Sequence, residues 1–286
     1  MTHVLLAGAT GYLGTHLLRE LVAWDIPTTA IARTPHKLSK FDFEKIVVKQ
    51  AEVTNVETLK GLFDGISTVI STVGITRQKD GLTYMDVDYQ ANMNLLEEAK
   101  EAGVKKFIYV SALGGEKFRH LQICNAKERF VDALRYSGMN YTVVRPNGFY
   151  SDMLDVLQMA KNGKVYLFGN GEQKLNPIHG ADLAEVIINT IAMNEHEILV
   201  GGPDILTHNE IAEIALASWG NPNKIVHLPD VIRSATIHLA RIFTSEKTFG
   251  PLEFFLTLMG QDMIAPRYGT RRLQDFYKQE VKNLKL

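Results

Sequence analysis

Through the first 150 residues, short unbroken apolar runs alternate with stretches whose apolar positions recur every three to four residues. The runs match strands buried on both faces, and the stretches match helices that lay one apolar stripe on a sheet. Strands are predicted at 4–7, 28–32, 45–48, 68–72, 107–112 and 141–146. After the first, Leu13, Leu17, Leu18, Leu21 and Val22 share a helical face. Between the fourth and fifth, "MDVDYQANMNLLEEAKEAGVKKF" sets Val87, Ala91, Leu95 and Ala99 on one side of a crossover helix that Gly103 ends. This alternation predicts an α/β fold with a doubly wound parallel sheet. Beyond residue 150 the rhythm loosens, with "KVYLF" and "EILVGG" as strand candidates among helical stretches. The expected organisation is a 1–150 core, to which later segments return, and a smaller mixed α/β lobe over 151–286 that serves a substrate or partner.

Composition narrows the classes. The chain has 286 residues, 45% of them hydrophobic, with a formal net charge of −1 and one cysteine, Cys124. That is enough chain for a large core, and the balanced charge gives no reason to expect nucleic acid. A single cysteine rules out an intrachain disulfide or thiolate cluster and suits a cytoplasmic location; no metal site is indicated. No apolar stretch is long enough for a membrane span, and the short run "VLLAGA" lacks the features of a secretion signal.

The first strand runs into "GATGYLG", with Gly8, Gly11 and Gly14 at every third position before a helix. A glycine turn there aims unpaired backbone N–H groups and the positive helix end at one point, which suits a phosphate. The three glycines allow a tight bend, close approach of a pyrophosphate and close helix–strand packing. The backbone from Gly8 to Gly14, with Thr10, Tyr12 and Leu13, is therefore the candidate cradle for a dinucleotide. At the second strand's tip stands Arg33, with Lys37 nearby. An acidic residue at that tip would bind the free ribose hydroxyl of NAD; a guanidinium pairs with a 2′-phosphate and favours NADP over NAD.

Taken together, "GATGYLG", "VDYQANMNLLEEAKEAGVKKFIYVSALG", "NAKERF", "YTVVRPNGF" and "NPIHGADLAEVI" resemble the atypical short-chain dehydrogenase/reductase family, the NmrA-like and related NAD(P)-binding proteins, over residues 3–200. The resemblance implies a Rossmann fold. It implies an adenine border at Glu52 and Val53, a cofactor-lining loop at 71–74 with Thr72, Val73 and Gly74, and a nicotinamide border at Pro146, Asn147, Gly148 and Phe149. It also assigns Ser111 and Lys127 to the catalytic set, Lys127 doubling as ribose anchor. The position four before Lys127, where such reductases generally carry the acid tyrosine, is Ile123. An isoleucine cannot give a proton, so Tyr150, with Tyr84, Tyr89, His120 or, where desolvation lowers its pKa, Lys127 itself, stands as a replacement.

Two functions follow. One is an NADP(H)-dependent reductase of a small, mainly apolar carbonyl, enone or quinone-like substrate, walled by residues 148–157 and 249–259. The other is a non-catalytic NADP(H)-dependent redox sensor, regulator or assembly factor, favoured by the missing tyrosine. His179 and Asp182 read as a helix start rather than a catalytic dyad, and no G-x-S-x-G elbow supports a hydrolase. The aromatic, mildly basic segment "PLEFFLTLM" is open to a buried helix or to a membrane-surface, oligomer or partner contact.

Overall fold

The computed structural model describes residues 2–39, 45–76, 78, 81–222 and 224–285. Its strands, in chain order, are β1 (Val4–Ala7), β2 (Thr28–Ala32), β3 (Ile46–Gln50), β4 (Thr68–Ser71), β5 (Lys106–Val110), β6 (Asn140–Pro146), β7 (Val165–Phe168), β8 (Lys174–Leu175), β9 (Glu197–Val200), β10 (Leu206–Thr207) and β11 (Ile225–Leu228). Its α-helices are α1 (Tyr12–Ala23), α2 (Ala91–Glu101), α3 (Gln122–Tyr136), α4 (Leu154–Lys161), α5 (Gly180–Thr190), α6 (His208–Trp219), α7 (Asp230–Phe243), α8 (Glu246–Met259) and α9 (Leu273–Lys285).

Seven strands form one parallel sheet in the order β3-β2-β1-β4-β5-β6-β9, the doubly wound arrangement predicted from the alternation. Val4 of β1 faces Thr28 of β2 on one side and Thr68 of β4 on the other. The chain therefore reverses its winding at β1, and the carboxyl ends of β1 and β4 flank the switch point where open α/β sheets bind ligands. All four β1 residues are buried, as a strand covered on both faces requires. The "EILVGG" run, read with the lobe, instead forms edge strand β9, where the Val143 N–H donates to the His196 carbonyl at 2.9 Å.

Two compact units divide the chain, the first running to Arg145 and taking Leu183–Ile198, the second comprising Pro146–Asp182 and the residues from Leu199 onward. Leu5, Ile31, Phe63, Val69, Leu95, Phe107, Tyr109 and Phe130 lie in the first unit's core. The second unit is centred on Tyr150, Leu157, Val165, Ile211, Leu216 and Tyr277. It also carries two ladders that the sequence pattern left unread, parallel β7–β11 and antiparallel β8–β10. The "PLEFFLTLM" segment lies within α8, where Phe249, Glu253 and Leu256 are buried. Among the described residues no helix is long and apolar enough to cross a membrane.

Candidate functional site

Two steric demands, at Gly8 and Gly14, and one hydrogen bond, at Gly11, build the glycine turn between β1 and α1. Gly8 holds φ at +85°, and a Cβ on it would overlap the Thr72 hydroxyl. Gly11 donates its N–H to the Gly8 carbonyl at 3.0 Å and caps α1 in an extended conformation with no side chain in the way. A Cβ on Gly14 would overlap the Gly8 carbonyl and come within 2.8 Å of the Ala9 Cα. From β4, the Thr72 N–H and hydroxyl both donate to the Ala7 carbonyl, at 3.0 and 3.1 Å, and brace the turn. The first turn of α1 holds no acidic residue to neutralise the helix's positive end. Thr10 and Gly11 are exposed, Tyr12 is half-buried and Leu13 belongs to the core, so Leu13 has only its backbone to offer a ligand. The exposed backbone at Thr10 and Gly11, at an α1 end whose first turn holds no carboxylate, fits a diphosphate.

At the tip of β2 Arg33 is exposed, and its Nε lies 3.7 Å from Oε2 of Glu52. Lys37 is exposed in the short 3₁₀ turn Pro35–Leu38. Val53 packs against the first unit's core, and its carbonyl accepts from Asn94 Nδ2 at 3.0 Å. A guanidinium with a carboxylate beside it can meet either kind of ribose, giving its own donors to a phosphate or Glu52's oxygens to hydroxyls.

Lys127, on α3, is held in the first unit's interior. Its Nζ lies 2.8 Å from Oδ1 of Asp88, with the two side chains 14% and 0% exposed. Asp88 belongs to a π-helical segment, Met85–Gln90, that leads into α2. Its Oδ2 accepts the Ile75 N–H at 3.2 Å. A Cβ on Gly74 would come within 2.6 Å of Asp88 Oδ1 and 2.7 Å of Lys127 Nζ, so glycine lets the loop after β4 rest on the pair. Asn92 stitches the same parts together: its Nδ2 donates to the carbonyls of Val73, Val87 and Asp88, and its Oδ1 accepts the Ser71 hydroxyl at 2.6 Å.

The electrostatics follow from burial. Burial opposes the Lys127 ammonium, but the Asp88 carboxylate outweighs it and leaves the lysine pKa above its ordinary value. Burial raises the Asp88 pKa, and Lys127 counters that rise. The Tyr109 phenol is raised chiefly by burial, and the Cys124 thiol is pushed up to about 12 by the same cause.

Ser111, at the end of β5, faces a different charge. Its hydroxyl donates to Glu128 Oε1 at 3.0 Å, and Glu128 also receives Arg145 Nη2 at 2.8 Å. Arg145 reaches on to Glu197 through Nε at 2.6 Å. Ile123 is buried on α3. Ser111 and Lys127 are thus tied to separate carboxylates, Glu128 and Asp88.

The remaining candidates belong to the second unit. Asn147 Nδ2 donates to Asn176 Oδ1 at 2.8 Å and to the Met263 carbonyl at 2.7 Å. The Gly148 N–H donates to Asn147 Oδ1 at 2.8 Å, and the Phe149 N–H to Asp152 Oδ2 at 2.9 Å. Phe149 bridges to Ile178, and Pro146 ends β6. Tyr150 is buried and gives its hydroxyl proton to the Arg271 carbonyl at 2.7 Å. His179 Nδ1 accepts the Ala181 N–H at 3.1 Å and so starts α5, whereas Asp182, read as part of that helix start, is buried and paired with Arg271. A side-chain cap and an ion pair compete for one carboxylate, and the arginine takes it.

Comparison with known proteins follows the same residues. The NAD(P)H-binding family profile matches residues 8–194, beginning at the first glycine of the turn. The chain belongs to the NAD(P)H-binding family. It is 28% identical to the chloroplastic divinyl chlorophyllide a 8-vinyl-reductase of Oryza sativa subsp. indica, over 98% of this chain and 79% of that one. It is 24% identical to a photosystem II assembly factor of Guillardia theta, over 84% and 73%. In fold it is similar to the NADPH-complexed quinone oxidoreductase of Escherichia coli, with a TM-score of 0.68 at 20% identity, covering 99% of this chain and 100% of that one.

Within this NAD(P)H-binding chain, sequence reasoning passed over Asp88, Asn92 and the Glu128–Arg145 pair. For the first two a signal existed. Positions 87/88, 91/92, 95/96 and 99 form one buried stripe, so a carboxylate and an amide at i and i+4 inside it mark polar groups that must find partners.

Proposed function

We propose that the chain is an NADPH-dependent reductase of a small, mainly apolar enone or quinone-like acceptor, with Lys127 as ribose anchor. The observation that carries this is the Lys127 ammonium, partly exposed and held against Gly74 at the carboxyl end of β4. The cradle from Gly8 to Gly14 takes the diphosphate. Arg33 and Lys37 take the 2′-phosphate, and Thr72, Val73 and Gly74 line the cofactor's central part. Bound NADPH supplies a hydride. The reduced acceptor then needs one proton, which water supplies, because Asp88 keeps the Lys127 pKa above its ordinary value.

Ser111 and Tyr150 serve the fold here, because their hydroxyl protons are committed to Glu128 and to the Arg271 carbonyl. A conjugated acceptor needs less from a protein acid than an isolated ketone, which suits a site with Ile123 in place of a phenol. The relatives named for reducing a vinyl group and a quinone support the acceptor class. Purified protein mixed with NADPH and a panel of enones, quinones and aldehydes tests it. Loss of NADPH absorbance with a quinone or enone, abolished in Lys127→Met, is expected; no turnover on any acceptor contradicts it.

Ile123 also favours a second reading, a non-catalytic NADP(H) sensor or assembly factor, a role supported by the relative named for photosystem assembly. A sensor must bind the reduced and oxidised cofactor with different affinity. Equal affinities for NADPH and NADP⁺ would end that reading.

A further inference from the structure

We propose that Asp88 is a positioning residue for Lys127: its wholly buried carboxylate, seated in the π-helical segment beside the loop after β4, holds the Lys127 ammonium against Gly74. The proposal rests on the reading of Lys127 given above and extends it to the group that sets the lysine's charge and aim.

Burying a carboxylate is costly unless a cation and hydrogen bonds compensate it. Asp88 is 0% exposed, with Lys127 Nζ at 2.8 Å from Oδ1 and the Ile75 N–H on Oδ2. The ion pair steadies the ammonium, whose side chain keeps 14% of its surface exposed. Three features fix the carboxylate: the π-helical backbone, Asn92 bonded to the Asp88 carbonyl at 2.9 Å, and Gly74, whose missing side chain leaves room for both ends of the pair. π-Helical turns cost helix geometry and recur at functional sites.

No neighbour duplicates this charge. The Tyr109 hydroxyl on β5, the Cys124 thiol on α3 and the Tyr84 phenol before the π segment are all raised chiefly by burial and stay neutral near pH 7. Glu128, the next residue on α3, is paired with Arg145. Take Asp88's charge away and burial governs Lys127, pulling its pKa below the ordinary lysine value.

Two readouts on the full chain test this. In protein labelled with 13C at lysine Cε, the Lys127 signal, identified by its loss in Lys127→Arg, is titrated without cofactor. NADPH affinity is measured across the same pH range. In the wild type Lys127 stays charged to at least about pH 10, and NADPH affinity is flat from about pH 7 to 9. In Asp88→Asn, Lys127 titrates at least about one unit below the ordinary lysine value, and NADPH affinity falls roughly tenfold over that range.

Asp88→Glu keeps the charge but moves it by one methylene, so the lysine titration is unchanged while NADPH binds roughly three- to tenfold more weakly. This variant carries the test if Asp88→Asn does not fold. Lys127 titrating normally in Asp88→Asn, a wild-type pH profile for its NADPH affinity, or unchanged affinity in Asp88→Glu overturns the proposal. Failure of the wild type to bind NADPH would instead remove the reductase reading, while the cofactor-free titration still decides whether Asp88 governs Lys127.

Discussion

The Ser111 hydroxyl donates to Glu128 Oε1 at 3.0 Å, and the same carboxylate receives the Arg145 guanidinium, with the Glu128 and Arg145 side chains 0% and 4% exposed. A serine at the end of β5 thus completes a buried charge cluster instead of presenting its proton to a ligand. Ser111→Ala should cost about 1.5–3 kcal/mol of stability, the worth of one hydrogen bond to a charged group, and leave NADPH affinity within about twofold. Arg145→Met strands a buried carboxylate and should cost about 3–5 kcal/mol. Denaturant melts of both variants check the order. A large loss of NADPH affinity in a fully stable Ser111→Ala protein would return Ser111 to the site.

Gly14 is confined by the Gly8 carbonyl and the Ala9 Cα. Gly14→Val should force the turn open, cost about 1–3 kcal/mol through overpacking, and weaken NADPH binding at least about tenfold. Exposed Gly61, where a Cβ meets nothing within 4 Å, is the control. Its φ of +74° means that Gly61→Ala strains the backbone but leaves NADPH affinity unchanged. Equal affinities for Gly14→Val and the wild type would contradict the cradle.

In the second unit His179 and His208 both have pKa values lowered below the ordinary histidine value, chiefly by burial. The folded chain therefore binds these protons less readily than the unfolded chain. Their contribution to stability is present above the unfolded histidine pKa of about 6.5 and is lost as pH falls through that value toward the folded ones. Thermal melts should show a lower midpoint at about pH 5.5 than at about pH 7.5, and His179→Gln with His208→Gln should shrink that difference. An identical drop in the double variant would place the pH dependence elsewhere.

The parallel sheet was legible because its strands are buried on both faces: Thr28–Ala32 reads as an unbroken run and occupies the range predicted for it. The glycine turn was legible because it stands between a strand and a helix at the chain's start, and Gly8 and Gly14 there answer local steric demands. Strands β8 and β10 were harder, since each spans two residues and alternates too briefly to carry a period. The Asp88–Lys127 pair joins residues far apart in sequence, and pairing across such a distance leaves no mark on local periodicity. Lys127 was singled out through family resemblance, and its partner came only with the packing of α3 on the π-helical segment. Arg33 was read as a partner for a 2′-phosphate, and Glu52, read as an adenine border, lies 3.7 Å from it, a proximity set by the register of β2 on β3.

Calorimetric titration of the wild type and Arg33→Ser with NADPH and NADH is the most direct measurement. The wild type should bind NADPH at least about tenfold more tightly than NADH, and Arg33→Ser should erase most of that gap by weakening NADPH alone. Absence of binding by either dinucleotide, or tighter binding of NADH, would contradict the central claim.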